Sequence, residues 1–261
     1  MCNNNAIQLK EINKSYQKGN NQVVVHNHFN LTIKSGEFVA IMGPSGLGKS
    51  TLLHLMGGLD KPTSGEVIIQ GENIAELSES ALTTWRSENI GFVFQSHHLL
   101  PVLSAQANVE LPLLLTPLTK KQRQQHAETA LALVNMSDRA KHFPKELSGG
   151  QEQRVAIARA IVSDAQILLC DEPTGNLDRN TANEILTLLS KLNKEFGKTI
   201  VMVSHDLKVS EYVSRVIDLE QYLGSKECQT NSIPTNVTIN AATNATTTPT
   251  INTTINTTTE A

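Results

Sequence analysis

The sequence predicts an α/β protein: a largely parallel sheet built around a phosphate-binding loop, interrupted by a helical insert and followed by a disordered C-terminal tail. Three observations carry this reading. Strand-like and helix-like patterns alternate through about residue 223. A glycine-rich segment, GPSGLGKST at residues 43–51, stands between an apolar run and a helical pattern. The stretch from Thr230 onward is dominated by Thr and Asn, with Glu260 its only charge, and such a composition cannot bury enough apolar surface to order itself.

Taken in order, the short apolar runs AIQLKEI, FNLTI and FVAIM read as strands. STLLHLMGGL after the glycine-rich loop reads as a helix, and EVIIQ and IGFVF as further strands. Between Gln95 and Ile167 the strand signal stops. There Leu99 to Leu115, Lys120 to Asn135 and Gly149 to Val162 look helical, punctuated by Pro101, Pro112, Pro117 and Pro144. We place this helical insert at about 96–165 within a domain spanning 6–223, and the tail at 225–261. QILLC, TIVMV and RVIDL complete the strands, with a helix at TANEILTLLSKLNKEF and a shorter one after Ser204.

A content of 39% hydrophobic and 18% charged residues in 261 suffices for a packed core. The formal net charge of -3 carries no basic footprint, so no nucleic-acid partner is expected. Cys2, Cys170 and Cys228 form no CxxC pair, which fits a reducing cytosol and argues against a zinc site or a disulfide framework. No apolar run is long enough to span a bilayer, and MCNNNAIQLKEI lacks the pattern of a signal peptide. Sequons such as Asn236–Thr238 are read as products of a two-letter composition.

The chemistry lies in short segments. Gly43, Pro44, Ser45, Gly46, Leu47, Gly48, Lys49, Ser50 and Thr51 follow a strand and open a helix, the context a phosphate loop requires. Backbone N–H groups there would cradle phosphates, Lys49 would reach the β- and γ-phosphates, and Ser50 would ligate Mg²⁺. ILLCDEP reads as a buried strand ending in two carboxylates, Asp171 toward Mg²⁺ and Glu172 as a general base for an attacking water. Cys170 reads as a small buried apolar residue. LSGGQ, Leu147 to Gln151, places Ser148 as N-cap of a helix, with glycine N–H groups at its positive end. That makes a second anion site beside Gly150 and Gln151, and two phosphate sites for one nucleotide suggest that two copies of the chain share each ATP. Four single residues join this set: Gln95 toward Mg²⁺ or the lytic water, His205 toward the γ-phosphate and Glu172, Asp178 as a bridge between subunits or an N-cap, and Tyr16 as a stacking partner for adenine.

Tyr16, GPSGLGKST, Gln95, LSGGQ, ILLCDEP, GNLD and His205, in this order, resemble the nucleotide-binding subunit of ATP-binding cassette (ABC) transporters. The resemblance implies a P-loop NTPase core of the ABC ATPase kind, with an antiparallel β subdomain and the inserted helical subdomain. It implies an ATPase that uses ATP and Mg²⁺, yields ADP and phosphate, and pairs head to tail as a homodimer. It further implies a membrane permease as partner, contacted near Gln95 and Leu99 to Glu110, a periplasmic adaptor reached through that permease, and a peripheral position at the cytoplasmic face of the inner membrane. FVFQSHHLLPVLSAQANVELPLLL and DEPTGNLDRNTANEIL look like the branch of macrolide-export, lipoprotein-release and cell-division ATPases, which favours export or mechanotransmission. Leu47 departs from the family's usual small residue, and the Thr/Asn tail from its short ending. The alternative is an ABC ATPase acting in DNA maintenance or cell division without transport. The DNA-acting kind carries long coiled coils or zinc modules, and the segment between Thr51 and Leu147 has neither sustained heptads nor cysteine pairs.

Overall fold

The computed structural model describes residues 4–19 and 21–223, so the tail lies outside the described residues. The elements run β1 (Asn5–Lys18), β2 (Asn21–Lys34), β3 (Phe38–Met42), α1 (Lys49–Met56), β4 (Ser64–Ile69), β5 (Glu72–Asn73), α2 (Glu79–Asn89) and β6 (Ile90–Phe94). The insert contributes α3 (Ala105–Glu110), α4 (Lys120–Leu133) and α5 (Gly149–Ile161). The chain returns through β7 (Ile167–Asp171), α6 (Arg179–Phe196), β8 (Thr199–Val203) and β9 (Arg215–Asp218).

Two sheets form. One is antiparallel, in the order β2-β1-β4-β5, and the other is parallel, in the order β6-β7-β8-β3-β9. The near-continuous apolar runs FVAIM and TIVMV are buried at every position, as expected for central parallel strands covered on both faces. Successive side chains alternate between the faces. Phe38, Ala40 and Met42 join the core beneath α3 to α6, whereas Val39 and Ile41 join the core shared with α1 and the antiparallel sheet. Helix α6 buries Ala182, Ile185, Leu186, Leu189 and Leu192 on one face and ends at Gly197, whose φ of 65° suits glycine.

The structure departs from the sequence reading in three places. Strands β1 and β2 form a hairpin longer than AIQLKEI and FNLTI, and Tyr16 lies within β1 instead of after it. Helix α2 buries only Leu82 and Trp85, a stripe too narrow for periodicity to reveal, although Ser78 caps it by accepting from Ala81 N–H. The stretch from Leu99 to Ser104 is not helical. Asn108, fully buried, accepts from Leu100 N–H and donates to the carbonyls of Leu100, Leu103 and Ser104, so a polar hub holds that segment open.

The insert seats on the parallel sheet at Gly91 of β6. A Cβ there would lie 2.2 Å from the backbone oxygen of Ala160 in α5, a contact that cannot relax by a side-chain rotation. Gly91→Ala is therefore expected to lower stability by ~1–3 kcal/mol, as overpacked cores do. The check is a urea titration: the midpoint should fall at unchanged slope, and an unchanged midpoint would show that α5 is not held against β6.

Candidate functional site

The carboxyl ends of parallel strands gather at one edge of the sheet, and the chemical residues gather with them. The chain leaves β3 at Met42, passes through Gly43–Gly48 and enters α1 at Lys49. Gly43, Gly46 and Gly48 have φ of 142°, 89° and 80°, so the loop folds through conformations that L side chains resist. Gly48 is the N-cap of α1 and supplies no side-chain cap, which leaves the first-turn N–H groups available to an anion. The Lys49 ammonium donates to the carbonyls of Gly43 and Pro44, each at 2.8 Å. A cavity of about 340 Å³ opens here, lined by loop and first-turn residues between Ser45 and Thr51 together with Val25 and Glu172. Leu47 turns its side chain inward to the core below the loop.

Ser50 Oγ donates to Asp171 Oδ1 at 3.0 Å, joining the start of α1 to the end of β7. A hydroxyl and a carboxylate are hard oxygen donors, the kind Mg²⁺ takes when substrate phosphates complete its shell. Among the described residues no group of three or more His, Cys, Asp or Glu could hold a metal ion. Burial raises the Asp171 carboxyl above its ordinary value, and neighbouring Glu172 adds to this against the Ser50 bond and the charge of Lys49.

Glu172 has φ of 45°, an unusual backbone for this residue type, held by its N–H bond to the Val203 carbonyl at 3.0 Å. His205 Nδ1 lies 3.3 Å from Glu172 Oε2. Gln95, just past β6, donates from Nε2 to Asn176 Oδ1 at 3.1 Å, so its amide is turned toward the segment after Glu172. Burial of the Cys170 side chain pushes its thiol far above the ordinary range, as befits an inert core residue.

Ser148 caps α5 in a reciprocal capping box: its hydroxyl accepts from Gln151 N–H, and the Gln151 side chain accepts from Ser148 N–H. Gly150 packs so closely on Thr181 of α6 that a Cβ would lie 2.3 Å from the methyl group. Asp178 is the N-cap of α6, bonded to the N–H groups of Asn180 and Thr181. The Thr181 hydroxyl bonds it as well, and these bonds hold its carboxyl below the ordinary range. Within this single chain Asp178 serves as an N-cap. None of Ser148, Gly150, Gln151 or Asp178 lines the phosphate-loop cavity, and neither do Tyr16 and Gln95.

Sequence reasoning missed several contributors. His26 of β2, 1% exposed, bonds the Gly48 carbonyl through Nε2 at 3.1 Å and braces the loop from below; burial lowers its pKa. Gln153, fully buried on α5, donates to the Pro173 carbonyl at 2.7 Å. Arg159 donates to the carbonyls of His97 and His98, each at 2.6 Å, and so ties α5 to the turn after Gln95. These contacts join residues far apart in sequence, and no local pattern announces them.

Residues 26–175 match the ABC transporter family. The chain is 45% identical over 221 residues to the lipoprotein-releasing system ATP-binding protein LolD of Idiomarina loihiensis, covering 85% of this chain and 97% of that one. It is 45% identical over 213 residues to the macrolide export ATP-binding/permease protein MacB of Hyphomonas neptunium, covering 82% of this chain and 33% of that longer protein. Among solved structures, the ATP-binding cassette MJ0796, a protein of Methanocaldococcus jannaschii, superposes as a dimeric post-hydrolysis state bound to ADP and Pi. Its TM-score is 0.76 at 45% identity, covering 81% of this chain and 93% of that one.

Because the fold raises the Asp171 pKa, the folded chain holds that proton more tightly than the unfolded chain does. The resulting stability is full below the ordinary value of 3.8 and is lost as pH rises through the higher folded value. At neutral pH the carboxylate is a net cost to the nucleotide-free protein. Asp171→Asn should therefore raise its Tm at pH 7 while weakening nucleotide binding. A lowered Tm in calorimetry would overturn this assignment of charge.

Proposed function

Since the chain belongs to the ABC transporter family as an ATP-binding subunit and ATPase, we propose that its catalytic site is completed only between two copies. The observation that carries this is the dimeric state of the 45%-identical MJ0796 cassette. The phosphate-loop cavity is lined by residues near Ser45 to Thr51 and by Glu172, whereas the capped, glycine-rich start of α5 lies outside it. A head-to-tail dimer would bring Ser148, Gly150 and Gln151 of one copy to the γ-phosphate held by the other, with Asp178 bridging at the seam. The dimeric form of the related MJ0796 cassette supports this arrangement.

In that site Lys49 and the uncapped first turn of α1 bind the phosphates, and Tyr16 stacks on the adenine. Ser50 and Asp171, with the Gln95 amide, would hold Mg²⁺, which would supply charge neutralisation for the phosphates. Glu172 takes a proton from the attacking water at its carboxylate, and His205 Nδ1, 3.3 Å away, keeps that carboxylate oriented. Each copy thereby makes hydrolysis conditional on closure of the pair.

The work is delivered to a separate membrane permease, in export or mechanotransmission, as the relatedness to lipoprotein-releasing and macrolide-export proteins supports. No described helix is long and apolar enough to cross a membrane. On this reading the permease supplies the spans, any periplasmic adaptor is reached only through it, and the subunit sits peripherally on the cytoplasmic face. Leu100 and Val102, 46% and 77% exposed beside the turn after Gln95, supply apolar surface for a permease segment. The non-transport alternative, a DNA-maintenance or cell-division ATPase, has no support from the transporter proteins to which the chain is related.

Glu172→Gln should slow hydrolysis by ~10²–10⁴-fold, the range for loss of a general base, and accumulate an ATP-bound dimer on a sizing column. Ordinary turnover in that variant would remove Glu172 from this role. Mixing Ser148→Arg subunits with Lys49→Ala subunits leaves at most one intact site per dimer, so turnover should recover partially; full turnover, or none in any mixture, would count against sites formed between copies.

A further inference from the structure

The surroundings of Tyr16 are built with more care than an exposed aromatic needs. Its ring is 41% exposed, yet both the hydroxyl and one face are held. The hydroxyl donates to Asp60 Oδ2 at 2.6 Å. The Lys14 ammonium stands 4.6 Å from the ring centroid, over that face. Lys14 is 8% exposed and donates to Asp60 Oδ1 and to the Lys61 carbonyl, each at 2.7 Å. Asp60 accepts from Lys61 N–H as well, at 2.7 Å. Burial opposes the charge on Asp60, but the bonds from Lys14, Tyr16 and Lys61 outweigh it and keep the carboxyl below its ordinary value.

The cluster ties Tyr16 to the C-terminal end of α1. Asp60 follows the last turn of that helix, with its N–H bonded back to the His54 carbonyl. The ring is thereby locked to the same element that presents the phosphate loop. With the ammonium on one face, only the opposite face is open to a planar partner.

We propose that Lys14 and Asp60 are positioning residues for the nucleobase: they fix the Tyr16 ring at a set place relative to the phosphate loop, with its open face toward adenine. This rests on the assignment of Tyr16 to adenine. A ring already immobilised loses less freedom when the base stacks on it, so the benefit appears in nucleotide affinity. A nucleotide is then measured at two points, base and phosphates, along a single helix.

The test compares ATP with tripolyphosphate, a probe without a base, by equilibrium titration of the full chain. Lys14→Met and Asp60→Ala should each weaken ATP binding by ~3–10-fold, the scale of losing one cation–π contact or one prepaid side-chain ordering, and leave tripolyphosphate binding unchanged. The effect should appear in KM and not in kcat, and Asp60→Asn, which keeps an acceptor for the Tyr16 hydroxyl, should recover part of it. In a Tyr16→Ala background, Lys14→Met should add nothing. If Tyr16→Ala itself leaves ATP affinity unchanged, the adenine assignment falls and the inference with it. If Tyr16→Ala weakens ATP while Lys14→Met and Asp60→Ala match the parent, the inference alone is overturned. Equal losses toward ATP and tripolyphosphate would also overturn it, by showing that the pair braces the loop in general.

Discussion

The hydrogen bond from Ser50 to Asp171 joins the two halves of the chain that the helical insert separates. Ser50 belongs to the first turn of α1, and Asp171 is the last residue of β7. For the bond to exist, β3 and β7 must lie in one parallel sheet with β8 between them, their ends level. The paired register from Phe38 to Ile41 against β8, and from Ile167 to Asp171 against the same strand, achieves this. Such a sheet is covered on both faces and offers polar chemistry only at its ends. Glu172, Ser204 and His205 fall at that edge for the same reason, just past the strands that carry them.

The insert is tied to that edge by few but specific polar contacts. Gln153 holds α5 to the segment after Glu172, and Arg159 holds it to the turn after Gln95, where His97 and His98 both take positive φ. Gly150 against Thr181 and Gly91 against Ala160 exclude even a methyl group from the seams. The helix that begins at Ser148 is thus packed against three parts of the molecule, and a shift in any one must be met by the others.

The legible parts of the sequence were those in which neighbouring residues set their own conformation. FVAIM and TIVMV read as strands because burial on both faces leaves an unbroken apolar run. GPSGLGKST read as a phosphate loop because strand, glycine turn and helix are contiguous. The extension of β1 through Tyr16 was missed because that end of the hairpin is solvated and carries little alternation. The open segment before α3 was misread as helix because its conformation depends on the buried Asn108 amide and not on its own side chains. His26 and Lys14 escaped notice for a related reason: His26 bonds Gly48 and Lys14 bonds Asp60, residues remote in sequence that meet only after folding. Single-residue roles such as those of Gln95 and Asp178 could be named from order and spacing, but their hydrogen-bond partners could not.

The missing side-chain cap at Gly48 has a thermodynamic side. An anion bound there would complete a helix start that the chain leaves unsatisfied, so its binding free energy is added to the free energy of folding. At a ligand concentration a thousand times its dissociation constant, that addition is about 4 kcal/mol, a large share of the roughly 5–15 kcal/mol that holds an ordinary domain together. A subunit that holds nucleotide is therefore harder to unfold than an empty one, apart from any effect on turnover.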